Sequence, residues 1–156
     1  MRAIGLRLDR SGRFWHDGAE VTHARLRTAL LRWLDVLDDG RNGGRDIIRL
    51  DDKRYAYVEV EDAHLRARSA HWDGDRCIVL WDDDQERELA YATIRQAPDH
   101  ALYVIARDRL RGRIAGPAYH AIAERIVADG EDDDGFALEA AGRRWPIAQT
   151  TATNSP

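Results

Sequence analysis

Apolar and polar residues alternate along Ile4-Gly5-Leu6-Arg7-Leu8-Asp9, break at Ser11-Gly12, resume in Arg13-Phe14-Trp15-His16 and break again at Asp17-Gly18. Period two puts one set of side chains on one face of a pleat, so this stretch predicts two short strands joined by a turn. The period then lengthens: Leu26, Leu30, Trp33, Leu34 and Leu37 recur at three- and four-residue steps, with Arg25, Arg27 and Arg32 in other directions. That spacing predicts an amphipathic helix, capped by Thr22 and ended by the glycines of 40–44.

The β-branched and aromatic runs Ile47-Ile48-Arg49-Leu50 and Tyr55-Ala56-Tyr57-Val58-Glu59-Val60 flank the polar corner Asp51-Asp52-Lys53 and predict a hairpin. A second hairpin follows from 65–72 and Cys77-Ile78-Val79-Leu80-Trp81 around Asp73-Gly74-Asp75. Asp82-Asp83-Asp84 breaks the pattern, 86–89 reads as a short strand, and 91–94 as one helical turn before Pro98. Leu102-Tyr103-Val104-Ile105 is a strong strand, and 109–114 continues or pairs with it. Gly116-Pro117 opens a second helix, with Tyr119, Ile122, Ala123, Ile126 and Val127 as its apolar stripe. Segments 136–139 and 143–147 bracket an Ala141-Gly142 turn, and the small polar tail has nothing to bury.

The two halves follow one order: a strand-like entry, a helix, a glycine-containing acidic loop, then strand, turn and strand. Val21 stands where Ile114 stands, and the same offset carries Leu26 to Tyr119, Ala29 to Ile122, Trp33 to Ile126 and Leu34 to Val127. After a shorter loop, 47–50 falls on 136–139 and 54–58 on 143–147. A single copy of this unit buries too little surface to stand alone, so the two copies are expected to press their cores together.

Composition narrows the function classes. The 156 residues carry a formal net charge of −4, which gives no positive field to draw nucleic acid or an anionic membrane. Lys53 is the only lysine among 24 basic residues. Base composition of the genome accounts for such a bias, and dense guanidinium pairing to the 28 acidic residues is the functional alternative. The solitary Cys77 closes no intramolecular disulfide, and Met1-Arg2-Ala3-Ile4-Gly5 is not followed by the apolar run of a secretory signal, so a reducing cytoplasm is the expectation.

Catalytic and metal motifs fare poorly. Residues 130–135 are rich in hard oxygen ligands, but the calcium-loop register puts Ala141 where a bidentate glutamate is required. The histidines His16, His23, His64, His71, His100 and His120 show no zinc spacing. Ser11 and Ser69 lack a nucleophile elbow, Cys77 lies inside an apolar strand, and no phosphate-binding glycine motif occurs. No cofactor is expected. The paired aspartates Asp51-Asp52, 82–84 and 132–134 fall at turns, where Asp is favoured for backbone reasons. Two features need more. Arg107, Arg109, Arg111 and Arg113 alternate, and on an uninterrupted strand they line one face; such a face requires carboxylates, with Glu59 and Glu61 as candidates, or an anionic ligand or partner. Glu59, Glu61 and Asp62 crowd one strand end, as a solvated edge or a second recognition element.

The chain resembles the bacterial family of domain of unknown function 1285. The resemblance rests on Leu6 to Asp9 in 6–9, Phe14-Trp15-His16-Asp17-Gly18, Val21, Leu26 and Leu30, then Val58-Glu59-Val60-Glu61-Asp62-Ala63. A later stretch, Leu102-Tyr103-Val104-Ile105-Ala106-Arg107 with Leu110, Arg113, Ile114, Tyr119 and His120, resembles the family's second characteristic segment. Where the family continues with Pro-Phe, this chain has His64-Leu65. The resemblance implies two associated α+β modules with a repeated motif, a role in signal transduction through binding, and no established catalytic residues.

The expected protein is therefore α+β, with two tightly associated modules of strand, helix and hairpin and antiparallel sheets: 1–62, a bridging strand region at 63–98, 99–148, and a disordered tail at 149–156. The expected function is non-enzymatic binding of a protein partner or a small anionic ligand, through Arg107, Arg109, Arg111 and Arg113 with Glu59, Glu61 and Asp62, or through the groove between the repeats. The competing reading is an enzyme in which His16, Asp17, Glu61, Asp62 or His64 converge in one cleft.

Overall fold

A computed structural model describes residues 5–38, 44–129 and 135–149. The glycine stop at 40–43, the acidic turn at 130–134 and the tail from 150 onward lie outside the described residues.

The alternating entry folds as expected into β1 (Leu6–Leu8) and β2 (Phe14–His16), followed by β3 (Ala19–Glu20), all antiparallel. After helix α1 (Ala24–Trp33) come β4 (Leu34–Leu37), β5 (Arg45–Arg49) and β6 (Tyr55–Val60), an antiparallel meander. β6 then lies parallel to β1, Leu6 opposite Val58 and Leu8 opposite Val60, which closes a six-stranded sheet in the order β3-β2-β1-β6-β5-β4.

The next hairpin, β7 (Leu65–Asp73) and β8 (Arg76–Trp81), carries β9 (Glu86–Glu88) on its edge. A 3-10 turn at Tyr91–Thr93 leads to β10 (Arg95–Gln96), β11 (Leu102–Arg107) and β12 (Leu110–Ile114). Helix α2 (Gly116–Ala123) opens with Pro117 in its first turn, where a missing amide costs nothing. Then follow β13 (Ile126–Ala128), β14 (Phe136–Ala140), β15 (Arg143–Pro146) and β16 (Ala148–Gln149). The second sheet runs β16-β10-β11-β12-β7-β8-β9, and β13, β14 and β15 make a third. The architecture is a strand-rich α+β fold.

Several expectations are corrected. Both helices end early. Leu34 and Val36 are 1% and 6% exposed because β4 pairs with β5 as an extended strand, so alternate residues reach the core; Leu26 and Trp33, assigned to the buried stripe, are 44% and 41% exposed. Ile126 and Val127 belong to β13, opposite Leu138 and Ala137. The cap of α1 is His23, whose Nδ1 accepts the Leu26 N–H at 3.3 Å, and not Thr22. The sheets are mixed as well as antiparallel, since β1 with β6, β7 with β12 and β10 with β16 are parallel pairs. One hydrophobic cluster joins Leu8, Phe14, Leu31 and Leu34 to Leu65, Trp81, Leu102, Leu110, Ile114 and Leu138. Each such side chain contributes on the order of 2 kcal/mol through lost contact with water.

Candidate functional site

The alternating arginines do not share one strand. Arg107 ends β11, Asp108 turns the chain with φ 49°, Arg109 sits in the turn, and only Arg111 and Arg113 lie on β12. Nor do Glu59 and Glu61 neutralise them. The Arg107 Nη2 donates to the carbonyls of Leu31, Arg32 and Leu34 at 3.0 to 3.2 Å, at the C-terminal end of α1 where unpaired carbonyls and the helix dipole favour a cation. Burial lowers the Arg107 pKa from its ordinary value, opposed by Asp83, whose carboxylate lies 3.8 Å away. Arg109 donates to the Val36 carbonyl and Arg111 to the Asp62 carbonyl, both at 2.7 Å. Arg113 reaches the Tyr103 hydroxyl at 2.8 Å and the Asp99 carboxylate at 3.0 Å. Three of the four thus form a seam that ties the β11–β12 hairpin to α1, β4 and the end of β6.

The acidic cluster separates along the same lines. Glu59 is exposed, and its side chain makes no hydrogen bond or ion pair among the described residues. Glu61 pairs with Arg7 and accepts the Arg10 N–H at 3.2 Å. Asp62 accepts from the Tyr103 hydroxyl at 2.7 Å, so Asp62, Tyr103, Arg113 and Asp99 form one chain of hydrogen bonds. His16 and Asp17 lie together at 3.5 Å, both exposed. His64 is fully buried and faces Asp46 at 2.6 Å.

Beneath this seam the triple aspartate is more than a turn. Asp82 binds Arg66 through both carboxylate oxygens, one to its backbone N–H at 3.0 Å and one to its Nε at 2.9 Å. Asp83, 0% exposed, takes Arg87 at 2.8 Å, while its backbone carbonyl accepts from Arg32. Asp84 pairs with Arg68. Cys77 is buried, and that burial pushes its thiol up to about 11, consistent with the inert role expected for it. Among the described residues no group of three His, Cys, Asp or Glu side chains is placed to hold a metal ion.

The outward face of the six-stranded sheet holds what sequence reasoning missed. Register places Arg7 beside Trp15 on β2 and beside Glu59 on β6. The Arg7 guanidinium lies 5.5 Å from the Trp15 ring, and that of Arg45 stacks 3.7 Å from the Tyr57 ring. Between them opens a groove of about 440 Å³, lined by Gly5, Leu6, Arg7, Arg45, Tyr57, Val58 and Glu59. Alternation along 55–60 could have located the aromatic face, but only pairing across three strands assembles it.

A DUF1285 family protein from Silicibacter pomeroyi DSS-3 matches with a TM-score of 0.73 at 17% identity, over 94% of this chain and 80% of that one. The fold is that of the DUF1285 proteins. A second, from Shewanella baltica OS155, matches with a TM-score of 0.63 at 15% identity, over 77% of this chain and 91% of that chain. The resemblance read from 6–9, 14–18 and 58–63 therefore agrees with the three-dimensional likeness to DUF1285 proteins. No protein-family model matches the sequence, and the search of curated proteins found no match. No helix among the described residues is long and apolar enough to cross a membrane.

Proposed function

We propose that the chain is a non-enzymatic, cytoplasmic interaction module that serves signal transduction by holding a protein partner against the open face of its N-terminal sheet. One observation carries this reading. The groove over β1, β5 and β6 offers Arg45 and Glu59, neither of which has an intramolecular ion-pair partner among the described residues, beside Tyr57. Arginine, tyrosine and tryptophan dominate the energetics of protein interfaces because they combine large contact area with directional hydrogen bonds. Arg7, paired with Glu61, lines the same groove, while Arg107, Arg109 and Arg111 act as the internal seam. The enzyme alternative needs two free groups in one cleft, whereas Glu61 is engaged by Arg7, Asp62 by Tyr103, His64 by Asp46 and Arg111, and His16 and Asp17 lie beside each other on the exposed surface.

We also propose that the fold arose by internal duplication. β1 has antiparallel β2 on one side and parallel β6 on the other, and β10 has antiparallel β11 and parallel β16. Leu34 pairs with Ile48, and Val127, its counterpart by offset, pairs with Ala137, the counterpart of Ile48, which supports this reading.

The test of the binding reading is a side-by-side pull-down with wild type and the double variant Arg45→Glu, Glu59→Arg. The expected outcome is a protein retained by wild type and lost from the variant, with unchanged circular dichroism. Equal recovery of every protein by both overturns the reading.

A further inference from the structure

A second open groove, of about 520 Å³, lies on the other half of the molecule and is lined by Asp75, Arg125, Glu139, Ala140, Gly142, Arg143 and Arg144. Its walls are backbone-bonded to one another. The Ala141 N–H donates to the Asp75 carbonyl at 2.7 Å, and the Glu139 N–H to the Arg125 carbonyl at 2.9 Å. The β14–β15 hairpin is thereby fastened to both the β7–β8 turn and the exit of α2. Its two-residue turn, Ala141 and Gly142 at φ 49° and 72°, has the left-handed backbone that matches strand twist in a tight hairpin.

Two of the guanidiniums are held flat. Arg125 stacks 4.0 Å from the Trp72 ring and Arg143 4.4 Å from the Trp145 ring. The indoles themselves are pinned: Trp72 Nε1 donates to the Ala121 carbonyl at 2.8 Å, and Trp145 Nε1 to the Ala140 carbonyl at 3.0 Å. Tyr91 stacks on Trp145 with ring centres 5.4 Å apart. Arg125 spends one donor on the Gly74 carbonyl, and the Arg143 guanidinium makes no hydrogen bond among the described residues. In a chain where most arginines are engaged by carboxylates or carbonyls, these two present planar N–H edges to solvent without a carboxylate partner. Arg144 is already neutralised by Glu139 at 3.3 Å, whereas the Asp75 carboxylate has no hydrogen bond or ion pair among the described residues.

We propose that this groove binds a small hydroxyl-bearing anion, with carboxylate or phosphate oxygens held by Arg125 and Arg143 and a hydroxyl donating to Asp75. A planar guanidinium fork matches the paired oxygens of both anions, and stacking on a fixed indole removes most of the ordering cost of binding. The unpaired Asp75 carboxylate repels a bare anion and accepts a hydrogen bond from an adjacent hydroxyl, which sets the selectivity.

The experiment follows the arginine Nε–Hε signals by NMR during titration with citrate, tricarballylate, glycerol 3-phosphate and inorganic phosphate, against chloride at matched ionic strength. The expected result is a saturable shift at Arg125 and Arg143 with citrate or glycerol 3-phosphate, the responding one naming carboxylate or phosphate as the source. The analogue lacking the carbon-bound hydroxyl binds more weakly, and Asp75→Ala, which removes the acceptor, abolishes that difference. Arg143→Lys keeps the charge and loses the planar fork, so binding weakens about tenfold. Shifts that only track ionic strength overturn the proposal, as does affinity that survives both Arg125→Lys and Arg143→Lys. Equal affinity for each anion with a carbon-bound hydroxyl and its counterpart without one overturns it too.

Discussion

The Nδ1 of His64 accepts the backbone N–H of Arg111 at 3.0 Å, while the His64 N–H donates to the Arg111 carbonyl at the same distance. With Nδ1 an acceptor, the ring proton sits on Nε2 and is directed at Asp46, 2.6 Å away. One fully buried side chain thus links β5, the start of β7 and β12. Replacing it with alanine leaves a cavity and strands the Arg111 N–H. His64→Ala is expected to cost about 3 kcal/mol in urea unfolding, and His64→Asn less, because its amide oxygen can take the same N–H.

Among the described residues Arg66 is the most heavily used cation. Besides Asp82 it donates to the carbonyls of Asp9, Arg10, Ala63 and His64, and with 14% and 5% of the two side chains exposed the pair is largely dry. Removing one member of such a pair leaves an uncompensated charge, so Arg66→Met is expected to lose roughly 3–5 kcal/mol. The double variant Arg66→Met, Asp82→Leu recovers part of that loss. A double-mutant cycle by denaturant unfolding measures the coupling, and strict additivity contradicts the assignment.

Gly112 is required by Trp81. A Cβ at that position would lie 2.3 Å from the indole Cη2 and 3.0 Å from the Ala106 Cβ, on a strand whose other residues carry side chains freely. Gly112→Ala is expected to destabilise by roughly 1–3 kcal/mol through overpacking. In a Trp81→Leu background the same substitution costs less, since the smaller side chain vacates the contact. Thermal unfolding of the four proteins in the cycle reads the difference.

These residues show what sequence pattern reveals and what it hides. Alternation located β1 and β2 because a half-buried strand writes period two into its own residues, and β-branched, aromatic and apolar runs located β5, β6, β8 and β11. The same logic overextended α1: Leu26, Leu30, Trp33, Leu34 and Leu37 fit a helical stripe, and only the pairing of Leu34 with Ile48 makes the end of that run a strand. Parallel partners such as β1 and β6 are distant in sequence, and no local pattern announces them. The acceptors of Arg107, Arg109 and Arg111 were illegible for another reason. They are backbone carbonyls, which every residue has, so composition pointed to Glu59 and Glu61 while the fold chose Leu34, Val36 and Asp62. The groove arginines are equally silent, because stacking on Tyr57, Trp72 or Trp145 joins residues from different elements.

The turn between β1 and β2 carries an acid-sensitive anchor. Burial pushes the Asp9 carboxyl up, but hydrogen bonds from Trp15 Nε1, the Arg13 N–H and the Ser11 N–H and hydroxyl outweigh it and hold the group at about 2, below its ordinary 3.8. Because the folded value lies below the unfolded one, the unfolded chain binds the proton first as pH falls. The stabilisation is complete above the ordinary carboxylate value and is lost between 3.8 and about 2. After allowance for solvent screening it amounts to roughly 1 kcal/mol. Asp9→Asn is therefore expected to lower stability at neutral pH by about that amount and to flatten this part of the acid limb. Urea unfolding followed by tryptophan fluorescence between pH 7 and about pH 2 tests the sign: a gap between wild type and variant that narrows on acidification supports the anchor, and one that stays constant contradicts it.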